Sequence, residues 1–417
     1  MIMNQTYSNN YRNFDIIVHG ASGFTGKLVV EYLWKKYGEY SDLKWGISGR
    51  NHAKLKSVLS SLDIPLHSVQ ILIAESHDSG ALDKITSQTK VVISTVGPYA
   101  KYGSQLVKSC VTQGTDYCDL AGELQWVRKM IDEHQEGAVK SGARIITSCG
   151  FDSIPSDIGV FFLQNESDKL YMKPCFKIKL LVKSMSGGPS GGTIASMMNQ
   201  LLEGKQDKTI ARIISNPYTL NPSTQYRGPD KRDQTSVKYD KELKTWTAPF
   251  VMAIVNTRVV RRTNAIMNFS YGENFSYTEA VSSGAGLRGL FKAIIATFFI
   301  GIFLVASSIK ITRNLLLKYF LPKPGQGPNK MQREKGFYNL IMHGFTDDGD
   351  KISIKITGDS DPGYGSTSKM LAESAVCLAL DSLNISGGFW TPASSMGNKL
   401  LARLSKNAGI KFEIQKK

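Results

Sequence analysis

Gly20-Ala21-Ser22-Gly23-Phe24-Thr25-Gly26 decides how this chain is read, because of what lies on either side of it. Before it, Asp15-Ile16-Ile17-Val18-His19 is a short apolar run of the kind a buried strand uses. After it, Lys27-Leu28-Val29-Val30-Glu31-Tyr32-Leu33 carries apolar residues at helical spacing. A strand that turns on glycines into a helix leaves backbone N–H groups unpaired at the positive end of the helix dipole, and that geometry binds a pyrophosphate. A lone G-x-x-G-x-x-G also suits a plain tight turn. Set between a strand and a helix, it predicts a dinucleotide held by Gly20, Ser22, Gly23, Phe24, Thr25 and Gly26.

Leu43-Lys44-Trp45-Gly46-Ile47-Ser48-Gly49-Arg50 reads as the next strand. An NAD site usually places an acid at its tip, to accept hydrogen bonds from the ribose hydroxyls. Here the tip carries Ser48 and Arg50 and no acid. A carboxylate would repel a 2′-phosphate, whereas a guanidinium bonds it through two nitrogens. The cofactor expected is therefore NADP. The plainer role for Arg50 is to finish a solvent-facing strand.

Lys90-Val91-Val92-Ile93-Ser94 is a buried strand that breaks at Gly97-Pro98. Ligands of an open parallel sheet lie beyond the carboxyl ends of its strands, so Thr95, Val96, Gly97 and Pro98 are placed to meet the nicotinamide half. Further strands end in Asp116-Tyr117-Cys118-Asp119-Leu120-Ala121-Gly122-Glu123 and in Ser148-Cys149-Gly150-Phe151-Asp152-Ser153-Ile154-Pro155-Ser156-Asp157. Strands alternating with helical stretches predict an α/β fold, a Rossmann-type doubly wound parallel sheet over residues 1–155.

Tyr99 and Asp152 are the candidate catalytic groups, expected to face one cavity beside the nicotinamide. Tyr117, Asp119, Ser153 and Asp157 are candidates for the substrate pocket. Each has a plainer role: Tyr99 and Tyr117 at the edge of a core, Ser153 or Asp157 as helix caps. The Tyr-x-x-x-Lys pair of short-chain dehydrogenases occurs as Tyr32 and Lys36, on the first helix and out of reach of the chemistry. The six histidines show no metal-ligand spacing, and His19 reads as a packed strand end. No metal is expected.

At 417 residues the chain suits two domains, the second over 156–417. There Lys177–Lys183, Phe275–Val281, Phe337–His343 and Lys351–Thr357 contain alternating stretches, which predict a mixed α+β domain whose sheet has one wet face. Helices over Gly192–Leu202 and Thr367–Leu383 are expected to pack on it, and residues 216–240 to form a long surface loop. Five cysteines, odd in number and without a C-x-x-C pair, point to reduced buried thiols and a cytosol-facing protein. The polar first fourteen residues lack the apolar core of a signal peptide.

Net charge is +16, and between Arg288 and Lys335 nine Lys or Arg face one acid, Glu334. No nucleic-acid motif accompanies this excess, so nucleic acid is not the expected partner. Within the basic stretch, residues 293–309 form seventeen positions without a charge, followed by Leu315-Leu316-Leu317-Lys318-Tyr319-Phe320-Leu321. A single membrane span would part strands that look like one sheet. Residues 286–324 are therefore read as an insertion in the second domain that lies on a membrane or lipid-droplet surface through 293–321. The alternative is a buried core helix followed by one that contacts a second copy in a homodimer.

Taken in order, the glycine turn, Ser48-Gly49-Arg50, Thr95-Val96-Gly97-Pro98-Tyr99, Asp116-Tyr117-Cys118-Asp119 and Gly150-Phe151-Asp152-Ser153-Ile154-Pro155 resemble the saccharopine dehydrogenase-like oxidoreductases. That group includes the trans-acting enoyl reductases of mycobacterial lipid synthesis. Ser190-Gly191-Gly192-Thr193, Leu321-Pro322-Lys323-Pro324-Gly325-Gln326-Gly327-Pro328, Asp361-Pro362-Gly363-Tyr364-Gly365 and Thr391-Pro392-Ala393 extend the likeness to nearly the whole chain. The resemblance implies a Rossmann domain, a mixed α/β domain and oxidoreductase chemistry, without implying saccharopine as substrate. The expectation is hydride transfer from NADPH to a carbonyl, imine or enoyl group on a lipid-linked or apolar molecule. The rival is a catalytically silent NADP-binding scaffold or redox sensor on membranes or lipid droplets.

Overall fold

The computed structural model describes residues 12–38, 41–188, 191–222, 228–322 and 325–415. Ser190, Lys323 and Pro324 of the quoted motifs, and residues 223–227 of the long loop, lie outside the described residues. Fourteen strands are described: β1 Phe14–His19, β2 Trp45–Gly49, β3 Gln70–Ile73, β4 Thr89–Ser94, β5 Asp116–Cys118, β6 Arg144–Ile146, β7 Lys177–Ser186, β8 Lys238–Asp240, β9 Thr245–Pro249, β10 Ser276–Gly284, β11 Phe337–Phe345, β12 Lys351–Gly358, β13 Gly388–Trp390 and β14 Ile410–Ile414. The helices that matter below are α1 Phe24–Tyr37, α2 His52–Ser61, α3 Ile154–Tyr171, α4 Gly191–Gln206, α5 Ala253–Ile266, α6 Gly286–Ser308, α7 Thr367–Leu380 and α8 Pro392–Asn407.

The first sheet runs β13-β6-β5-β4-β1-β2-β3, and every pair in it is parallel. The chain leaves β1 toward β2 and β3, then returns to β4 on the other side of β1. That reversal opens a crevice at the carboxyl ends of β1 and β4, where such sheets bind ligands. All six residues of β1 are buried, as a strand covered on both faces requires.

The seventh strand of this sheet, β13, comes from residues 388–390, and α7 packs on β1, β4 and β5. The first domain is therefore not 1–155 alone, and the helix expected over Thr367–Leu383 covers the nucleotide sheet rather than the second one. The reason is compositional. Helix α7 buries Met370, Leu371, Ala372, Ala375 and Val376, an apolar face broad enough to cover a parallel sheet. Arg144 of β6 bonds the carbonyl of Leu378 and fixes that docking.

The second sheet runs β14-β12-β11-β7-β10-β9-β8, with β7 and β10 parallel and the remaining pairs antiparallel. Strands β11 and β12 alternate buried and more exposed positions along their length, the pattern of a sheet covered on one face. Helix α4 packs chiefly on its neighbour Lys208–Ser215 and on α6, rather than on this sheet.

Helix α6 is long and apolar enough to cross a membrane, with a mean hydropathy of 2.3 in its best window and 11% of that window buried. Leu287, Phe291, Phe298, Phe299 and Val305 are exposed, which corrects the alternative of a buried core helix. Its buried positions are small residues, Gly289 and Ala293 near the start and Ser307 near the end. The start packs on β9 and β10, and Lys205 of α4 donates to the Ser308 carbonyl at 2.9 Å. Strands β10 and β11, immediately before and after the insertion, both pair with β7.

Asp157, in the first turn of α3, ties three helices together. Its Oδ1 accepts from the Thr263 hydroxyl of α5, and its Oδ2 accepts from the Ala393 amide at the start of α8 at 2.8 Å. Asp157→Ala strands a buried amide at a helix N-terminus and is expected to cost about 1–3 kcal/mol in a urea melt. An unchanged midpoint would contradict this role.

Candidate active site

The glycine turn is shaped by close approach. Gly20 has φ +88°, and a Cβ there would lie 2.6 Å from the Val96 side chain. A Cβ on Gly26 would lie 2.3 Å from the Gly20 carbonyl and 2.8 Å from Thr95 Oγ1. Any side chain at either position would push the turn away from the loop that follows β4. Thr95 holds that loop against the end of β1 by donating to the His19 carbonyl through both its amide, at 3.0 Å, and its hydroxyl, at 3.1 Å. The two halves of the crevice are thus one hydrogen-bonded unit.

Helix α1 begins at Phe24 with Gly23 as its N-cap, and no side chain caps it. Its first-turn amides are left to a ligand, which suits an anionic pyrophosphate. His19 lies beneath the turn, its Nδ1 3.2 Å from Ser48 Oγ, and burial pushes its pKa down to about 4. The ring is therefore neutral near pH 7 and adds no charge to the phosphate site. Arg50 is exposed at the end of β2, beside Asn51, which caps α2 by accepting from the Lys54 amide.

The second domain closes over the turn at Phe24. The Tyr364 ring meets the Phe24 ring edge-on at 5.1 Å, and the Arg333 guanidinium lies 5.8 Å from its centroid. Gly327 sits so close that a Cβ on it would come within 2.4 Å of the same ring. Tyr364 is held by Thr193, hydroxyl to hydroxyl at 2.7 Å, and its amide donates to Asp361. Gly191 donates to the Gln326 carbonyl at 3.2 Å. Residues from the 190–193, 321–328 and 361–365 motifs, which had no assigned role in the sequence, converge on one ring of the glycine turn.

The candidate pocket residues divide into two groups. Tyr99 is buried; its hydroxyl donates to the Ser94 carbonyl at 3.1 Å and accepts from the Leu120 amide at 3.2 Å. Tyr117 donates to Asp119 Oδ2 at 2.8 Å, and Asp119 Oδ1 accepts from the amides of Ala121 and Ser148. Burial pushes Asp119 up to about 7, with these donors opposing the rise. Together Tyr99, Tyr117 and Asp119 brace the carboxyl ends of β4, β5 and β6. Glu123 adds to the brace by accepting from the amides of Tyr99 and Ala100, at 2.7 and 3.1 Å.

Asp152 and Ser153 differ. Asp152 Oδ1 and Ser153 Oγ are both enclosed and have no hydrogen-bond partner among the described residues. Burial pushes Asp152 up to about 7, and the negative charge of Glu279 adds to the shift. Ser153 stands at the N-cap of α3 yet its side chain makes no cap bond.

Sequence reasoning missed the groups around this pair. Glu279 of β10 is buried; it accepts from the hydroxyls of Ser156 and Tyr277, at 2.6 and 2.7 Å, and from Asn256 Nδ2 at 2.9 Å. Asn256 Oδ1 is a further enclosed atom without a partner. The available signal was period two: Tyr277 and Glu279 share one face of β10, and that face is buried. Among the described residues no cluster of His, Cys, Asp or Glu is arranged to hold a metal.

Comparison with known proteins agrees with this architecture. Residues 16–146 match the saccharopine dehydrogenase NADP binding domain. The chain is 37% identical to a Mycobacterium tuberculosis protein named provisionally as a trans-acting enoyl reductase, over 96% of this chain and 97% of that one. It is 33% identical to a trans-acting enoyl reductase of Mycobacterium ulcerans, over 97% and 98% of the two chains. Saccharopine dehydrogenase (L-Glu forming) from Saccharomyces cerevisiae shares the fold at TM-score 0.54 and 12% identity, over 96% of this chain and 99% of that chain. The chain thus belongs to the saccharopine dehydrogenase-like oxidoreductases, alongside the trans-acting enoyl reductases. It is an oxidoreductase with NADP as its cofactor.

The residues present fit that cofactor: an uncapped helix start for the pyrophosphate, and an exposed arginine with no acid at the tip of β2 for the 2′-phosphate. When bound, the nicotinamide supplies a hydride. Arg50→Ala is expected to weaken NADPH binding by about 1–3 kcal/mol and leave NADH binding nearly unchanged, as read by nucleotide fluorescence. Equal losses for both nucleotides would remove the 2′-phosphate from Arg50.

Proposed function

We propose that this oxidoreductase reduces a carbonyl or enoyl group on a lipid-linked or otherwise apolar substrate, at the cytosol-facing surface of a membrane or lipid droplet. The observation that carries this reading is the course of α4. At one end the Ser196 hydroxyl bonds Glu123, and a Cβ on Gly97 would lie 3.5 Å from Ser196 Oγ. At the other end Lys205 bonds α6. A single helix therefore joins the loop expected at the nicotinamide to the exposed apolar helix. Met197, Leu201 and Leu202 of α4 are only half-buried, leaving an apolar flank between the two.

Lying flat is the arrangement that suits α6. Both ends touch the same body, and strands on either side of the insertion share one sheet, so a single crossing would have to split β7 from a neighbour. Arg288, Lys292, Lys310, Arg313 and Lys318 flank the apolar run, and their charge suits anionic headgroups. The names of the mycobacterial relatives support the enoyl class of substrate.

Asp152 is the group best suited to supply a proton, since its Oδ1 is enclosed, unpartnered and at the carboxyl edge of the nucleotide sheet. Asp119 and Asp157, also enclosed, have both oxygens engaged. Tyr99, the other candidate acid, has its hydroxyl spent on the scaffold.

Incubating the protein with 4-deuterated NADPH and a lipid extract is expected to place one deuterium per molecule into a single lipid class, read by mass spectrometry. Label that reaches no lipid, with cofactor binding intact, would favour the silent scaffold. Replacing Phe298 and Phe299 with Asp is expected to release the protein from anionic vesicles at unchanged NADPH affinity. High salt should release the parent protein only in part, because apolar burial is not screened. Retained vesicle binding by the doubly charged variant would contradict the surface role of α6.

A further inference from the structure

We propose that Asp152 and Glu279 form an unequal carboxyl pair, in which Glu279 holds the negative charge and thereby keeps on Asp152 the proton delivered to the reduced substrate. The inference rests on Asp152 as proton donor and adds the positioning residue that makes it one. Ser156, in the first turn of the helix that follows Asp152, donates to Glu279 at 2.6 Å, so the Glu279 carboxylate and the enclosed Oδ1 of half-buried Asp152 belong to one region. Two carboxyls that share a region of low dielectric cannot both ionise cheaply, and hydrogen-bond donors decide which one does. Glu279 has three donors: the hydroxyls of Ser156 and Tyr277 on Oε1, and Asn256 Nδ2 on Oε2. Asp152 Oδ1 has none.

The surroundings keep the two carboxyls unequal. Burial raises both, yet the three donors oppose the rise at Glu279, while nothing opposes it at Asp152 and the charge on Glu279 adds to it. Asp233, the other acid that acts on Glu279, is paired with Arg258. Asp157 faces Tyr277 and is engaged by Thr263 and Ala393. Arg261, next on α5, is taken up by Asp230 and by the Tyr277 carbonyl. No cation among the described residues pairs with Asp152. Ser153 Oγ, next along the chain from Asp152, and Asn256 Oδ1, on the amide that bonds Glu279, are likewise enclosed and unpartnered.

The step balances. The substrate double bond takes a hydride at one atom and the Asp152 proton at the other, with NADPH oxidised to NADP⁺. Asp152 is left as a carboxylate beside charged Glu279, a state that favours recovery of a proton from water before the next turnover.

Infrared titration of the carboxyl stretch, with ¹³C-labelled aspartate and an Asp152→Asn control to assign the band, reads the Asp152 proton without any turnover. Glu279→Gln removes the neighbouring charge and is expected to move the Asp152 midpoint down by about one pH unit or more. Tyr277→Phe keeps the ring and removes one donor from Glu279, and should move it the same way by less. NADPH affinity should stay the same in both, and the alkaline limb of the reduction rate should follow the band. A midpoint that stays put in both folded variants, or rises, would overturn the pair. A midpoint that falls while the rate profile does not would overturn Asp152 as the donor and leave the pair standing.

Discussion

Between Gly26 and the Gly20 carbonyl there is no room for a methyl group, and Thr95 presses on both from the loop after β4. This contact sets how near α1 comes to β4, and so fixes the crevice where the sheet reverses direction. Everything else in the site is placed relative to it. Phe24, within the turn and first in α1, becomes the ring on which the second domain rests, through Tyr364, Arg333 and Gly327. A cofactor bound at the turn would lie between two layers, each already in contact with the other.

The nucleotide half was legible because its physics is local. A buried strand, a glycine turn and an amphipathic helix are neighbours in sequence, and the crevice follows from their order along the sheet. The second domain was legible only in pieces. Alternation found β7, β10, β11 and β12. Nothing local shows that β13 crosses back to the first sheet, or that α7 covers it, because those choices depend on partners more than two hundred residues away. The apolar run at 293–309 was plain in composition, whereas its small inner face of Gly289, Ala293 and Ser307 appears only once the helix is seated.

The acids show why residue type alone misassigns roles. Asp119 and Asp157 are buried and Asp152 is half-buried with one oxygen enclosed, and loss of solvent raises each to about 7. Asp119 and Asp157 use both oxygens to hold strand ends and helix starts in place, a structural task that needs the same chemistry as catalysis. What sets Asp152 apart is an enclosed oxygen with nothing bonded to it, beside a glutamate that the sequence hid on an alternating strand.

Hydrogen exchange with and without NADPH tests the central claim most directly, because it reports where the cofactor lies without requiring a known substrate. Amide exchange tracks local opening, so a ligand that bridges two layers slows both. NADPH is expected to slow exchange at Ala21–Gly26, at Thr95–Gly97 and at the covering residues 326–333 and 361–365. Protection confined to any other part of the chain, or protection at the turn with none at the cover, would contradict it.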